Sequence, residues 1–323
     1  MQNVAKGKVA NTAKVLMIIS ITLLVYGIIL NISTIFGLVE SPQRGKIKDE
    51  TTPKSTVSIT PSNGNEVVSD NSSTIDIGSD LNSNSQVTTN DNTIDKENLK
   101  LRNEIEKEFS IKVKYGKETE GYAVGGVTTV AINDSNLANK ALNDLYNTLS
   151  LYPKGMFKEM KDGGIPLTII LVNRYSENGI TGVTDSSYEY ANISIAAVYD
   201  FAESFYHESY HYIERYMFKK KANFNSWDSL NPKDFVWNTI DGSLSYSNTF
   251  KEDAYFVNNY AQTSAEEDRA STFEYMMANT KASCLNRNNN IWYKATYMAL
   301  TIESVFDTVS PDSIEYWERF IKD

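Results

Sequence analysis

The segment YDFAESFYHESYHYIERYM, residues 199 to 217, holds both histidines of the 323-residue chain, His207 and His211, with Glu208 between them. Residues four apart on a helix stand one above the other on a single face, so two imidazoles at this spacing can share one metal ion. HExxH on a helix carries what a zinc hydrolase needs: two nitrogen ligands and an adjacent carboxylate to take a proton from water. A structural pair of histidines would not need the inner glutamate. The spacing therefore nominates His207 and His211 as ligands of one zinc ion per chain, and Glu208 as the general base.

Two histidines are not enough for a catalytic zinc, and the chain has no third. The remaining protein ligand must be a carboxylate or the single cysteine, Cys284. Glu214 lies seven residues beyond His207, but it would have to reach back most of a turn along the axis. A solvated face or a salt bridge suits it better. Farther on, Glu266, Glu267 and Asp268 open a helical stretch whose apolar positions are Ala270, Phe273, Met276 and Met277. Acids at a helix N-terminus are also favoured by the macrodipole, so spacing leaves all three open.

From Asp200 to Met277 the chain resembles the gluzincin metallopeptidases, in particular the group of the anthrax lethal factor protease domain and the clostridial Pro-Pro endopeptidases. In that group a tyrosine precedes the glutamate ligand by seven residues, and the glutamate opens a helix of the form E-x-x-A-E-x-F. Here Tyr260 stands seven before Glu267, and EDRASTF runs from Glu267 to Phe273. The resemblance implies a zincin-like domain hydrolysing peptide bonds, with His207, His211 and Glu267 as the metal ligands. It also implies that Glu208 is the base and that the Tyr260 hydroxyl stabilises the oxyanion. Tyr255 is the second choice for that hydroxyl, and Asp268 is a candidate to orient a histidine. Ser271 departs from the pattern, which has a second glutamate there.

These residues need elements to hold them. Asp200 followed by Glu203 is a capping-box pattern that starts a helix at Phe201, and nothing breaks it before about Lys220. Upstream, DKENLKLRNEIEKEF has helical spacing with Asp95 as its cap, and SNLANKALNDLYNTLSLY is amphipathic with Ser135 as its cap. SIKVKYG, GYAVGGVTTVAI, IPLTIILVNR and NISIAAVYD each read as a strand. TGVTDSSYEY reads as a polar strand at a sheet edge, where an extended substrate can add as one more strand. The chain beyond Lys220 is mainly helical, with loops around NFNSWDSLNPKDF and NRNNN. Strands first and helices after them make an α+β domain over residues 96–323.

The rest of the chain reads differently. Residues 15–39 run from Val15 to Val39 without a charge, roughly 37 Å of helix at about 1.5 Å per residue, enough for one transmembrane span. The run is long for a signal peptide and leaves through a poor cleavage site, which favours an uncleaved anchor; cleavage would instead give a secreted protein. Lys6, Lys8 and Lys14, with no acid beside them, place residues 1–14 in the cytoplasm. The catalytic part is then extracytoplasmic, on a single-pass protein of the cell membrane. Residues 40–95 are rich in Ser, Thr, Asn and Asp and contain no aromatic residue, so they read as a disordered polar tether.

A net charge of −10 excludes nucleic acid as a partner. One cysteine allows no internal disulfide, as is common in exported proteins of Gram-positive bacteria. A protein or peptide substrate fits best. The competing classes are a zinc-dependent cell-wall amide hydrolase and a non-catalytic binding protein whose zinc is structural and takes Cys284 as a ligand.

Overall fold

The computed structural model describes residues 56–61, 87–198, 200–237, 254–278 and 289–319. The apolar run of residues 15–39 and Cys284 lie outside them. Among the described residues no helix is long and apolar enough to cross a membrane.

The centre is a five-stranded mixed sheet in the order β1-β7-β8-β5-β2. Its strands are β1 (Thr56–Pro61), β2 (Lys112–Lys114), β5 (Leu167–Val172), β7 (Ile180–Ser186) and β8 (Ala191–Ala196). β5 runs parallel to β2 and β8, while β7 is antiparallel to β8 and to β1. β5 explains the apolar run LTIILV. Leu167, Ile169 and Leu171 enter the main core on one face, and Ile170 and Val172 enter a smaller core on the other. A strand covered on both faces has no polar alternation to show.

The smaller core is closed by a three-stranded ladder of β3 (Ala123–Val124), β4 (Val127–Val130) and β6 (Arg174–Tyr175). The stretch GYAVGGVTTVAI is therefore a hairpin and not one strand. Gly125 and Gly126 take φ of 59° and 86°, the positive values that a tight two-residue hairpin turn requires.

The helices are α1 (Val87–Phe109), α2 (Ser135–Leu149), α3 (Met156–Asp162), α4 (Phe201–Lys219), α5 (Ala265–Ala278) and α6 (Asn290–Val305). α2 is capped by Asp134, one residue before the expected Ser135; its carboxylate accepts the Leu137 N–H at 2.8 Å. Asp95 does not cap α1. It lies inside the helix and accepts from the Ser135 hydroxyl at 2.6 Å, joining α1 to the start of α2. Once its packed turns have formed, extending α1 back to Val87 costs little, so residues 87–95, expected in the polar linker, are helical.

The tether reading also fails at Thr56–Pro61, which form β1 and pair with β7 from Thr56 opposite Ser186 to Pro61 opposite Ile180. Four of these six residues (Thr56, Val57, Ile59 and Thr60) are β-branched, a local strand preference masked by the polar average around it. As a result β7, expected at the edge, is an interior strand.

The main core lies between the sheet and the helices, with Leu142 and Leu145 of α2, Phe205 and Tyr210 of α4, Phe273 of α5 and Met298 of α6 all fully buried. Three of the buried tyrosines place the hydroxyl on a hydrogen-bond partner. Tyr152 shares a 2.6 Å hydrogen bond with Ser209, Tyr212 donates to the Ile165 carbonyl at 2.7 Å, and Tyr175 donates to the Ser194 carbonyl at 2.7 Å.

Candidate active site

β8 delivers the chain almost directly into α4, which starts at Phe201 as expected. Asp200 occupies the N-cap position, but its side chain makes no capping hydrogen bond. One turn apart on α4, His207 and His211 are nearly inaccessible, and their ring centroids are 5.1 Å apart. Glu208, between them, is fully buried.

The third carboxylate comes from the first turn of α5. Ser264 stands just before that helix and its hydroxyl accepts the Glu267 N–H at 3.1 Å, fixing where the helix begins. Glu267 Oε2 then lies 2.9 Å from His207 Nε2 and 3.6 Å from His211 Nε2. The nearby Glu266 is exposed. Of the three acids that spacing left open, the fold brings Glu267 to the histidines.

Asp268 turns the other way. Fully buried, its carboxylate accepts from Trp227 Nε1 and Lys294 Nζ, each at 2.7 Å. It secures α5 to α6 and orients no histidine. That role falls to Glu274, a residue the sequence reading passed over, whose Oε2 is 3.1 Å from His207 Nδ1. Glu274 is seven residues after Glu267, two turns along α5, so both carboxylates face α4. The E-x-x-A-E-x-F pattern stops at Phe273, one residue short of it. Glu214 is not solvated: it is buried in an ion pair with Arg269, which joins α4 to α5.

Electrostatics tie the cluster together. Burial opposes a charge on His207, yet Glu267 and Glu274 outweigh it and raise the imidazole to about 10. Burial likewise acts against the Glu267 carboxylate, and the pull of His211 and His207 still holds it well below the usual range.

Tyr260 begins a short 3-10 turn, Tyr260–Gln262, and its ring centroid is 5.8 Å from that of His207. Tyr255 is half-buried against the main core, with its carbonyl accepting from Lys294 at 2.8 Å. Of the two tyrosines, Tyr260 is the one whose ring lies beside a histidine, tilted by 41°.

Glu208 points to the sheet. A Cβ on Gly182 of β7 would come within 2.7 Å of Glu208 Cγ, so glycine leaves the room this side chain occupies. Thr184 of the same strand donates its hydroxyl to the Glu208 carbonyl at 3.0 Å.

His207, His211 and Glu267 offer one ligand atom each, all within 4.8 Å of one another. His211 Nε2 is buried with no hydrogen-bond partner among the described residues, as a nitrogen with its lone pair directed at a cation would be. Two imidazoles and one carboxylate, with a fourth position open, are the donor set of a catalytic zinc. The residues fit the ion.

No protein-family model matches this sequence, and no curated protein matches it. Among solved structures the chain is similar to a candidate zinc-binding metallo-peptidase from Bacteroides caccae. That likeness has a TM-score of 0.48 at 12% identity, covering 75% of this chain and 93% of the other.

Proposed function

We propose that this chain is a zinc-dependent endopeptidase of the gluzincin kind, held at the cell membrane by residues 15–39 with its catalytic domain outside the cytoplasm. The observation that carries the reading is the convergence of His207, His211 and Glu267 with Glu208 held in the same turn of α4. Zinc, when bound by these three residues, supplies a Lewis acid that polarises the scissile carbonyl and makes water more acidic.

The remaining work belongs to the chain. Glu208 takes the proton from the attacking water and returns it to the departing amine, so one carboxylate serves as base and then as acid. Tyr260, beside His207, donates its hydroxyl to the oxygen on which negative charge develops. Glu274 accepts from His207 Nδ1–H, which would leave the Nε2 lone pair for the metal that Glu267 and His211 share. The substrate is a protein or peptide in extended form.

The test is elemental analysis of the purified chain together with cleavage profiling on a peptide library and on cell-wall material. One zinc per chain, with peptide cleavage that Glu208→Gln lowers at least ~10²-fold while retaining zinc, is the expected result. Cleavage confined to wall material would replace the peptidase reading with a wall amidase. A zinc-containing chain that cleaves neither would leave only a binding protein.

A further inference from the structure

β7 is the strand nearest the proposed catalytic carboxylate, with Gly182 against the Glu208 side chain and Thr184 bonded to the Glu208 carbonyl. One side of β7 pairs with β8. The other side is where an extended peptide would add, because its N–H and C=O groups accept any backbone running antiparallel. That side is already taken by the chain's own residues. Thr56–Pro61 pair with β7 in antiparallel register, and Thr60 stands opposite Gly182, the position closest to Glu208. The register slips at the next residue: Pro61 pairs with Ile180, and Thr181 is skipped. A proline lacks the N–H to carry the ladder on, so pairing ends there.

We propose that Thr56–Pro61 is an intramolecular occupant of the peptide-binding edge of β7, lying where a substrate strand adds and leaving before one can. The inference rests on the peptidase reading for the word substrate, but the strand exchange itself does not require catalysis. Two features suit the segment to this role. It belongs to a stretch, residues 40–95, with no aromatic residue, and backbone pairing joins it to β7 from Thr56 to Pro61. It also belongs to the same chain, so it competes at an effective concentration of the order of millimolar, which a free peptide must exceed. A peptide that binds β7 by main-chain pairing is therefore excluded until β1 departs, and anything that draws residues 56–61 away opens the edge.

The experiment uses the full-length chain and a Ser58→Pro/Ile59→Pro variant, both in a Glu208→Gln background so that the probe is not consumed. In an antiparallel pair, alternate residues exchange hydrogen bonds with the partner, so one of two consecutive prolines must remove a ladder N–H. The probe is a fluorescent peptide of the sequence KSTVSITPSN, residues 54–63, followed by anisotropy. Hydrogen exchange is read at the amides of residues 180–186. The variant should bind the probe at least ~10-fold more tightly than the parent, in line with release of a tethered competitor. Its β7 amides should exchange faster and regain protection when peptide is added. Equal probe affinity in the two chains, or unchanged exchange at residues 180–186, overturns the proposal. Hydrolysis is then read with Glu208 restored. A zinc-loaded proline variant that binds peptide and cleaves none sinks the peptidase reading and leaves the strand exchange standing.

Discussion

Glu267 and Glu266 are adjacent acids in the first turn of α5, yet one is 2.9 Å from a histidine nitrogen and the other is exposed. A helix advances about 100° per residue, so neighbours cannot face the same partner. Glu267→Ala should therefore abolish stoichiometric zinc, whereas Glu266→Ala should retain it, as elemental analysis of the two proteins will show. Glu274 acts one atom farther out. With its carboxylate on His207 Nδ1, Glu274→Gln should weaken zinc binding by ~10–100-fold, measured by competition with a chelator. If the carboxylate served stability alone, Glu274→Gln would lower the unfolding midpoint of the zinc-free chain and leave zinc affinity unchanged. In the proposed mechanism, Tyr260→Phe removes a hydroxyl that acts only as charge develops. Its expected signature is a kcat lower by ~10²-fold or more with KM little altered, and an unchanged kcat would give the oxyanion to another donor.

Three contacts between elements hold these residues at working distance. Glu214 of α4 and Arg269 of α5 form a buried ion pair, with the guanidinium 5.0 Å from the centre of the Phe224 ring. Burial and Glu214 act in opposite senses on Arg269, and the carboxylate prevails, so the guanidinium remains charged. Removing one partner strands the other charge away from water. Glu214→Ala should cost ~3–5 kcal/mol in denaturant unfolding, and Glu214→Leu combined with Arg269→Met should recover most of it. If the single variant costs nothing, the pair does not hold α4 to α5. The Asp268–Lys294–Trp227 contact fastens α5 to α6 from the far side. The third contact is Gly182 beneath Glu208. Gly182→Ala places a methyl 2.7 Å from Glu208 Cγ, so the carboxylate must move. Activity should fall with zinc content preserved, since a misplacement of about 1 Å can cost ~10²-fold.

For the molecule as a whole, residues 15–39 are long enough to span a bilayer, and residues 56–61 are part of the five-stranded sheet. Of the residues expected to form the polar linker, 56–61 and 87–95 belong to the fold. A chain beginning at residue 40 should leave the membrane fraction and retain zinc, whereas the full chain should sediment with membranes and resist carbonate extraction. Recovery of a shortened, soluble chain lacking residues 1–39 would show instead that the segment is cleaved. The net charge of −10 predicts no retention on nucleic acid at physiological salt.

Some of this was legible without coordinates. Helix periodicity is local, so YHESYHY alone places two imidazoles and a carboxylate on neighbouring positions of one helix, and α4 forms where the pattern says it should. The same locality makes LTIILV a strand and NLANKALNDLYNTL a helix. The choice of Glu267 over Glu266 and Asp268 is a different kind of fact. Sixty residues separate His207 from Glu267, and only the packing of α5 on α4 brings the two to 2.9 Å. The resemblance supplied that choice without a physical reason; the tertiary contact supplies the reason. It also reveals Glu274, which no short motif contains. β1 was hidden for the same cause. Strand pairing is a contact between residues distant along the chain, and six β-branched-rich residues inside a polar run do not say which edge they will find. The histidines were set by the chain's own periodicity, whereas Glu267, Glu274 and the covered edge of β7 were decided by packing across the fold.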